Sequence, residues 1–288
     1  MIGFIGPGNF DPHKCRVIYL AFGEPYLAMA LNSIRTLRDH NPMVPTTIVT
    51  NVIAGKPTSF LSENDDWIEV EDRTENNRDI KTRIDTFTDA EFNLYLDSDT
   101  EIRAPLDSFF GFLNCFDLGF SLVERSMHGD AQKGDARVFP EQIPVGELPH
   151  WNGGIFLFRK NAETRNFFLT WNQRFKEMKI PFDQPSLVEA IFESRARLIS
   201  FDYRWNAPYS NTVNPNLGRH VKILHYATAL DRAIISRILN AAKDAGNFDE
   251  EMITECRNFL KARSLDRTRR GKQATIGKRI RRWLNPIR

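Results

Sequence analysis

Apolar segments of strand length alternate with amphipathic segments of helix length along most of this chain, and that order constrains its fold more than any other feature. The alternation predicts a mostly parallel α/β sheet that is covered by helices on both faces. In such sheets, ligands bind beyond the carboxyl ends of the strands. The predicted strands are residues 16–23, 46–52, 67–72, 92–99, 117–124, 153–160 and 221–227. The predicted helices are residues 25–40, 78–87, 105–113, 161–178 (with Asn161 as its N-cap) and 183–192.

Length and composition describe an ordinary soluble protein with room for one large domain or two small ones. Of the 288 residues, 41% are hydrophobic and 26% are charged. No apolar run approaches the roughly 18 residues that span a bilayer, and the amino terminus lacks the basic start and apolar core of a secretory signal. Three widely spaced cysteines predict neither a disulfide framework nor a zinc site. We therefore expect a cytoplasmic protein.

The carboxyl-terminal segment differs in charge from the rest of the chain. Residues 261–288 hold eleven Lys or Arg and one acid, whereas the whole chain has a net charge of +2. Within them, the sequence TIGKRIRRWLNPI places apolar residues at helical spacing between basic ones, which is typical of a helix on an anionic membrane. The charge alone also suits an RNA-binding or disordered tail, but the apolar stripe favours the membrane. We predict a domain over 1–245, a basic helical extension over 246–288, peripheral attachment to the inner face of the plasma membrane, and no nucleic-acid partner.

The predicted strand 92–99 ends in Asp97, Ser98 and Asp99, and this motif is the strongest sign of chemistry in the chain. Residues two apart on a strand point to the same side, so the two carboxylates share one face. Paired carboxylates suit Mn²⁺ or Mg²⁺, which proteins commonly share with the phosphates of a nucleotide. The alternative is a polar turn, since Asp at a strand end often caps the next turn. Glu101 points the same way but lies past the turn that Thr100 begins.

The motif resembles the Asp-X-Asp element of nucleotide-sugar glycosyltransferases with the GT-A fold. Further elements along residues 16–230 resemble features of that family in the same order, and the set is closest to the glycogenin-like and lipopolysaccharide galactosyltransferase-like branch. They are Lys81, the segment WNGGIFLFRKN at 151–161, the segment DQPSL at 183–187, and His225. The resemblance implies a GT-A fold and metal-dependent transfer of sugar from a nucleotide-sugar, by preference a UDP-sugar, to a glycan, lipid-linked or protein acceptor.

The resemblance also implies roles for individual residues. The cation, Mn²⁺ or Mg²⁺, would be held by Asp97, Asp99 and His225. Asp183 and Gln184 would be the catalytic residues beside the reacting sugar. The donor would contact Lys81, Ser98, Asn152, Gly153 and Gly154. We expect its nucleoside at the end of the first strand and the start of the next helix, at Ala21, Phe22, Gly23 and Tyr26.

Three further features bear on the predicted reaction. They are its stereochemistry, one difference between this sequence and the branch, and a long loop. The branch favours retention of anomeric configuration, whereas inversion would need a general base such as Asp183 or Glu147. In the branch, the late histidine precedes a glycine and a lysine that reach the diphosphate; here only Arg232 stands at a similar distance. The segment 125–150 is rich in glycine, proline and charge, which is typical of a functional lid or of a disordered loop. As a lid, it would close over the bound donor and exclude water. Its candidate residues are His128, Arg137 and His150.

Each site residue also has an interpretation without catalysis. Asp183 suits the N-cap of the helix that follows it, His225 suits a hydrogen-bonded core position, and Lys81 suits a solvated helix face. Gly153 and Gly154 suit close packing of the backbone. Two other functions remain open, a sugar nucleotidyltransferase and a non-catalytic binding module. The first is disfavoured because no basic, glycine-rich loop follows the first strand to bind a triphosphate.

Overall fold

The computed structural model describes residues 11–52, 59, 61–71, 77–122, 138–139, 143–144, 149–179, 182–208, 218, 220–226 and 230–264. Its largest feature is a central sheet whose strands are β1 (Cys15–Ala21), β2 (Thr46–Thr50), β3 (Asp66–Glu69), β4 (Phe92–Asp97), β6 (Leu118–Leu122), β9 (Trp151–Arg159) and β10 (Leu198–Phe201). Across the sheet the order is β10-β6-β9-β4-β1-β2-β3. Strand β9 is antiparallel to β4 and β6, and the other neighbours are parallel. The predicted mostly parallel sheet is confirmed.

The remaining elements flank that sheet. A small sheet in the order β11-β12-β5 is formed by β5 (Thr100–Ile102), β11 (Ala207–Pro208) and β12 (Ile223–His225). A two-stranded sheet pairs β7 (Val138–Phe139) with β8 (Ile143–Pro144). The helices are α1 (Glu24–His40), α2 (Asn77–Lys81), α3 (Asp107–Phe110), α4 (Ala162–Met178), α5 (Gln184–Glu193), α6 (Arg232–Asp244) and α7 (250–264).

Strand β1 shows how helices cover both faces of the central sheet. Val17 and Tyr19 pack with residues of α1 in one apolar cluster. Ile18 and Leu20 pack with residues of α4 and α5 in a second cluster. Because successive side chains of a strand point to opposite faces, the two clusters lie on opposite sides of the sheet. All four residues are buried, as expected for a central strand of a parallel sheet.

Helix α4 begins where the sequence predicted. The side chain of Asn161 accepts a hydrogen bond from the N–H of Thr164 at 2.9 Å, and the Thr164 hydroxyl accepts one from the N–H of Asn161 at 3.2 Å. This reciprocal cap satisfies N–H groups that a helix leaves without partners at its amino end. It also defines the point at which the chain leaves β9 and returns over the sheet.

The helix predicted over 78–87 is wrong in length. The α-helix ends at Lys81, and a 3₁₀ turn over Ile84–Phe87 follows it. The carbonyl of Asp79 accepts hydrogen bonds from the side chains of Thr82 and Asn172, at 2.8 and 3.3 Å. The N–H of Arg83 therefore bonds to Ile80 instead, and the α-helical ladder stops. A local hydroxyl and a side chain of α4, far along the chain, thus share the carbonyl at which the ladder of α2 stops.

The turn between β4 and β5 brings a distant strand to the Asp-Ser-Asp motif. The hydroxyl of Ser98 donates to the carbonyl of Leu20 at 2.9 Å, which ties the turn to β1. Strand β5 then pairs with β12, with Thr100 opposite His225, and the N–H of Tyr226 donates to the carbonyl of Asp99 at 2.8 Å. Residues 221–227 were expected in the central sheet, and that expectation is wrong. Strand β12 lies in the small sheet because its partner β5 has turned away from the central one.

Helix α7 packs on the body of the protein. Its residues Ile253, Cys256 and Leu260 are buried in a cluster that also contains Ala28 of α1 and Ile238 of α6. The predicted basic amphipathic segment lies outside the described residues, and the division of the chain into 1–245 and 246–288 stays a prediction. No helix among the described residues combines the length and hydrophobicity needed to span a bilayer.

Most of the predicted lid also lies outside the described residues, including His128, Arg137 and Glu147. His150 is described and buried, immediately before β9. The role of the segment 125–150 as a lid therefore stays a prediction.

Candidate active site

Two carboxylates and one imidazole converge at the carboxyl end of β4. Asp97, Asp99 and His225 each offer a ligand atom, and these atoms lie within 4.8 Å of one another. The Nε2 atom of His225 is 3.2 Å from Oδ1 of Asp99 and 3.9 Å from Oδ2 of Asp97. Asp97 is the last residue of β4, Asp99 lies in the turn between β4 and β5, and His225 comes from β12, which pairs with β5. The three predicted metal ligands are therefore neighbours in space.

The surroundings of these side chains suit a divalent cation. The Nδ1 atom of His225 lies 3.1 Å from Oδ1 of Asn206, and this contact orients the ring so that Nε2 faces the carboxylates. Burial raises the pKa of Asp99, but His225 and Arg263 outweigh it and hold that pKa below its ordinary value. Burial lowers the pKa of His225, but Asp99 and Asp97 outweigh it and raise that pKa. The site therefore favours positive charge beside an ionised Asp99, and two carboxylates with an imidazole suit Mn²⁺.

Lys81 is a buried counter-ion and not a solvated helix residue. Its side chain is 9% exposed, and its Nζ lies 3.1 Å from Oδ1 of Asp97 and 3.3 Å from Oδ2 of Asp183. The ammonium also lies over the ring of Tyr95, 5.0 Å from its centroid, as cations do on aromatic faces. Burial lowers the pKa of Lys81, but the two carboxylates outweigh it and raise that pKa. A charged Lys81 therefore joins Asp97 to Asp183.

Asp183 occupies the N-cap position of α5 without capping it. Its side chain makes no hydrogen bond to the first turn of the helix. The carboxylate instead faces Lys81, and its Oδ1 lies 3.6 Å from Nε of Arg78. The alternative role of Asp183 as a helix cap is not what the structure shows. Gln184, the first residue of α5, lies beside it at the cavity.

Position 154 requires glycine because three side chains lie too close to it for a Cβ atom. A Cβ atom at this position would lie 2.6 Å from Cε1 of His225, 2.7 Å from Oδ2 of Asp97 and 2.9 Å from Oδ1 of Asn152. Asn152 itself accepts the N–H of Gly154 at 2.7 Å. At Gly153, the nearest atom to such a Cβ is Oδ2 of Asp183 at 3.4 Å, an ordinary contact. The two glycines therefore differ, and only the second is a steric necessity of the carboxylate and histidine cluster.

One cavity of about 330 Å³ is lined by the side chains of Asp97, Asp99, His225, Lys81 and Asp183. All the predicted site residues line it except Ala21, Phe22, Gly23 and Gly153. Strand β1 reaches the cavity through Leu20, because Ala21 points to the opposite face of the sheet and packs in the cluster under α1. Gly23 has a φ of 85° and donates its N–H to Oδ1 of Asn51 at 2.8 Å, so its part is to turn the chain from β1 into α1. Tyr26, on the first turn of α1, does line the cavity.

The sequence interpretation missed several residues that line or support the cavity. Tyr95 donates its hydroxyl to Oδ1 of Asp97 at 2.9 Å, and its position two residues before Asp97 on the same strand face is a signal that was present in the sequence. Arg78 and Arg263 line the cavity, and Asn206 supports His225. No local pattern marks these three. Arg232 is exposed at the start of α6 and does not line the cavity.

Glu101 belongs to a separate cluster. Its carboxylate accepts hydrogen bonds from Nε of Arg103 at 2.9 Å and from Nη2 of Arg237 at 2.8 Å, and it also accepts the hydroxyl of Tyr226. These contacts link β5 to β12 and α6. Glu101 therefore stabilises the fold around the site and is not one of the grouped ligands.

No protein-family model and no curated protein matches the sequence. The structure is similar to solved structures of the galactosyltransferase LgtC. For LgtC in complex with donor and acceptor sugar analogs, the TM-score is 0.56 at 16% identity, over 82% of this chain and 98% of that chain. For an active-site mutant of LgtC, the TM-score is 0.55 at 14% identity, with the same coverage. The likeness confirms the predicted GT-A fold and agrees with the resemblance inferred from the motifs.

Proposed function

We propose that this chain is a metal-dependent glycosyltransferase that moves a sugar from a nucleotide-sugar, by preference a UDP-sugar, to a glycan, lipid-linked or protein acceptor. The observation that carries the proposal is the convergence of Asp97, Asp99 and His225 in one cavity of a chain with the GT-A fold. LgtC, which shares the fold, is a galactosyltransferase whose structure holds donor and acceptor sugar analogs. We propose the same two kinds of ligand for this cavity.

Asp97, Asp99 and His225 would hold Mn²⁺ or Mg²⁺, and the imidazole favours Mn²⁺. The bound cation supplies positive charge that stabilises the diphosphate leaving group. Lys81 holds the carboxylates of Asp97 and Asp183 at 3.1 and 3.3 Å, so it joins the metal ligands to the proposed catalytic residue. Preorganised charges of this kind lower the barrier because they need not rearrange during the reaction.

The space above the metal ligands suits the donor sugar. Gly154 and Asn152 both line the cavity there, and Asn152 adds a polar side chain. Asp183 and Gln184 contribute polar groups from the start of α5, where sugar hydroxyls of donor and acceptor would bind. Retention of anomeric configuration remains the expected outcome, and NMR of the first-formed product identifies it.

Turnover is expected only with a divalent cation. The test incubates the protein with a panel of UDP-sugars in Mn²⁺, Mg²⁺ or EDTA and measures UDP release. We expect release in Mn²⁺ and a loss of at least about a hundredfold in EDTA. UDP release at the same rate in EDTA as in Mn²⁺ would contradict the proposed metal cofactor.

Two other outcomes would favour the alternative functions. If no nucleotide-sugar is bound or turned over, the enzyme proposal fails, and a non-catalytic module is favoured. If UTP and a sugar phosphate yield pyrophosphate, the protein is a nucleotidyltransferase.

We further propose that residues 265–288 bind the anionic inner face of the plasma membrane. The support is the basic and apolar pattern of the sequence. Deletion of these residues is expected to abolish co-sedimentation with vesicles that contain phosphatidylglycerol. Replacement of Trp283 and Leu284 by Ser should weaken it with the charge unchanged. Full sedimentation of the shortened protein would refute the proposal, and RNA binding in place of vesicle binding would indicate the electrostatic alternative.

A further inference from the structure

Arg263 reaches the candidate active site from the last turn of α7. Its Nη2 donates to Oδ2 of Asp99 at 2.9 Å, and its guanidinium lies over the ring of Tyr26, 5.7 Å from the centroid. The side chain is 21% exposed and lines the same cavity as the metal ligands. Tyr26 is held in turn by an edge-on contact with Phe259, one turn earlier in α7. The helix therefore forms part of the wall of the site.

The guanidinium has an unused donor. Arginine presents five N–H groups in a planar fork, and Nη1 of Arg263 is buried without a hydrogen-bond partner in the described part of the chain. A buried donor without a partner costs free energy, which a ligand that accepts the bond removes. The side chain is thus equipped to bind an acceptor that enters the cavity.

The position of Arg263 suits a phosphate group. It lies between Tyr26, where the nucleoside is proposed, and Asp99, where the cation is proposed. In a nucleotide-sugar, the diphosphate joins the nucleoside to the sugar and is the part that shares a cation with the protein. A guanidinium binds phosphate oxygens through two parallel hydrogen bonds, which an ammonium does not.

We infer that Arg263 binds the diphosphate of the donor, an inference that rests on the function proposed above. Two basic side chains lie beside Asp99: Nε2 of His225 at 3.2 Å and Nη2 of Arg263 at 2.9 Å. A divalent cation on Asp99 repels the guanidinium, and the phosphate oxygens attract it. Arg263 therefore exchanges Asp99 for a phosphate oxygen when metal and nucleotide bind together, and it competes with the metal for Asp99 when the nucleotide is absent.

The test measures the affinity for Mn²⁺ and the affinity for UDP. If Arg263 makes this exchange, its replacement should change the two in opposite directions. Calorimetry would give the Kd of Mn²⁺ alone and the Kd of UDP in saturating Mn²⁺, for the full chain and for Arg263→Gln. We expect the variant to bind UDP at least about tenfold more weakly, because it loses charged hydrogen bonds to phosphate. We expect it to bind Mn²⁺ alone about threefold more tightly, because Asp99 loses its competing partner.

Two further variants control the test. Lys261→Gln removes a positive charge from an exposed position on the same helix, and its UDP affinity should stay within about twofold of the wild type, since exposed charges are screened. Arg263→Lys keeps the charge without the planar fork, and it should bind UDP with an affinity between those of the wild type and Arg263→Gln. Thermal melting followed by circular dichroism shows whether each variant is folded. Should Arg263→Gln not fold, Arg263→Lys alone must show the weakened UDP binding.

The outcomes separate this inference from the function on which it rests. Wild-type protein that binds no UDP in Mn²⁺ overturns both. Wild-type binding with unchanged UDP affinity in both Arg263 variants overturns the inference alone. A parallel loss of Mn²⁺ and UDP affinity also overturns it, because Arg263 would then act only by holding Asp99 in place.

Discussion

Asp99→Asn is expected to lower sugar transfer at least about a hundredfold while the protein stays folded. The carboxylate is buried, and it lies 3.2 Å from His225 and 2.9 Å from Arg263. Asparagine keeps the shape of the side chain but removes the negative charge that a divalent cation needs. The weakening of its charged hydrogen bonds should lower the free energy of unfolding by about 1.5–3 kcal/mol for each of these two contacts that is lost. Steady-state UDP release and the Kd of Mn²⁺ measure the effect, and thermal melting measures the stability.

A matched control is Asp66→Asn, which neutralises an exposed aspartate at the start of β3. Asp66 pairs with Arg16, its side chain is 55% exposed, and exposed ion pairs contribute about 1 kcal/mol or less to stability. Its activity and Mn²⁺ affinity should equal those of the wild type. If Asp99→Asn is destabilised yet fully active, the carboxylate serves the turn between β4 and β5 and not a cation, and the metal site is wrong.

Gly154→Ala is the second change with a large expected effect. The added Cβ would lie 2.6 Å from His225 and 2.7 Å from Asp97, distances that real Cβ atoms do not keep. Both neighbours are side-chain ends, so the strain should displace the proposed metal ligands more than it disturbs the sheet. We expect the Mn²⁺ affinity and the rate of transfer to fall at least about a hundredfold, with a smaller effect on the melting temperature.

The neighbouring glycine provides the matched control. In Gly153→Ala the nearest contact of the new Cβ is 3.4 Å, to Asp183, so the cluster around His225 stays in place. Its Mn²⁺ affinity should remain within about threefold of the wild-type value, because ordinary van der Waals contact does not move the ligands. Equal losses in the two variants would show that the segment responds to any side chain, and the steric argument for Gly154 would be lost.

Local patterns predicted the elements of the fold that are marked by apolar periodicity within a single segment. Strands β1, β2, β4 and β9 and helices α1 and α4 follow from apolar periodicity, because a buried strand or helix face must be apolar wherever it packs. Strand β10, the end of α2 and the sheet of β12 were missed or wrong. Each depends on a partner that is distant in the chain: β6 for the first, Asn172 for the second and β5 for the third.

The residues of the candidate site also fall into two groups: those that local sequence predicts and those whose contacts only the tertiary structure shows. Asp97 and Asp99 were predicted from a spacing of two on a strand, and Tyr95 was open to the same reasoning. His225 and Asp183 had two interpretations each, which local sequence does not separate. The structure shows that Nε2 of His225 faces Asp99 and that Asp183 pairs with Lys81 in place of capping α5. The roles of both residues in metal binding and catalysis stay predictions.

Periodicity and spacing along the chain thus account for the α/β sheet, its covering helices and the paired carboxylates, because each of these depends on neighbours a few residues apart. The gathering of β4, β9, β12, α2, α5 and α7 around one cavity depends on sheet register and helix packing instead. Register joins residues more than a hundred positions apart, and no local pattern encodes it. Arg263 shows the difference most clearly, since it lies 164 residues beyond Asp99 in the chain and 2.9 Å from it in the folded protein.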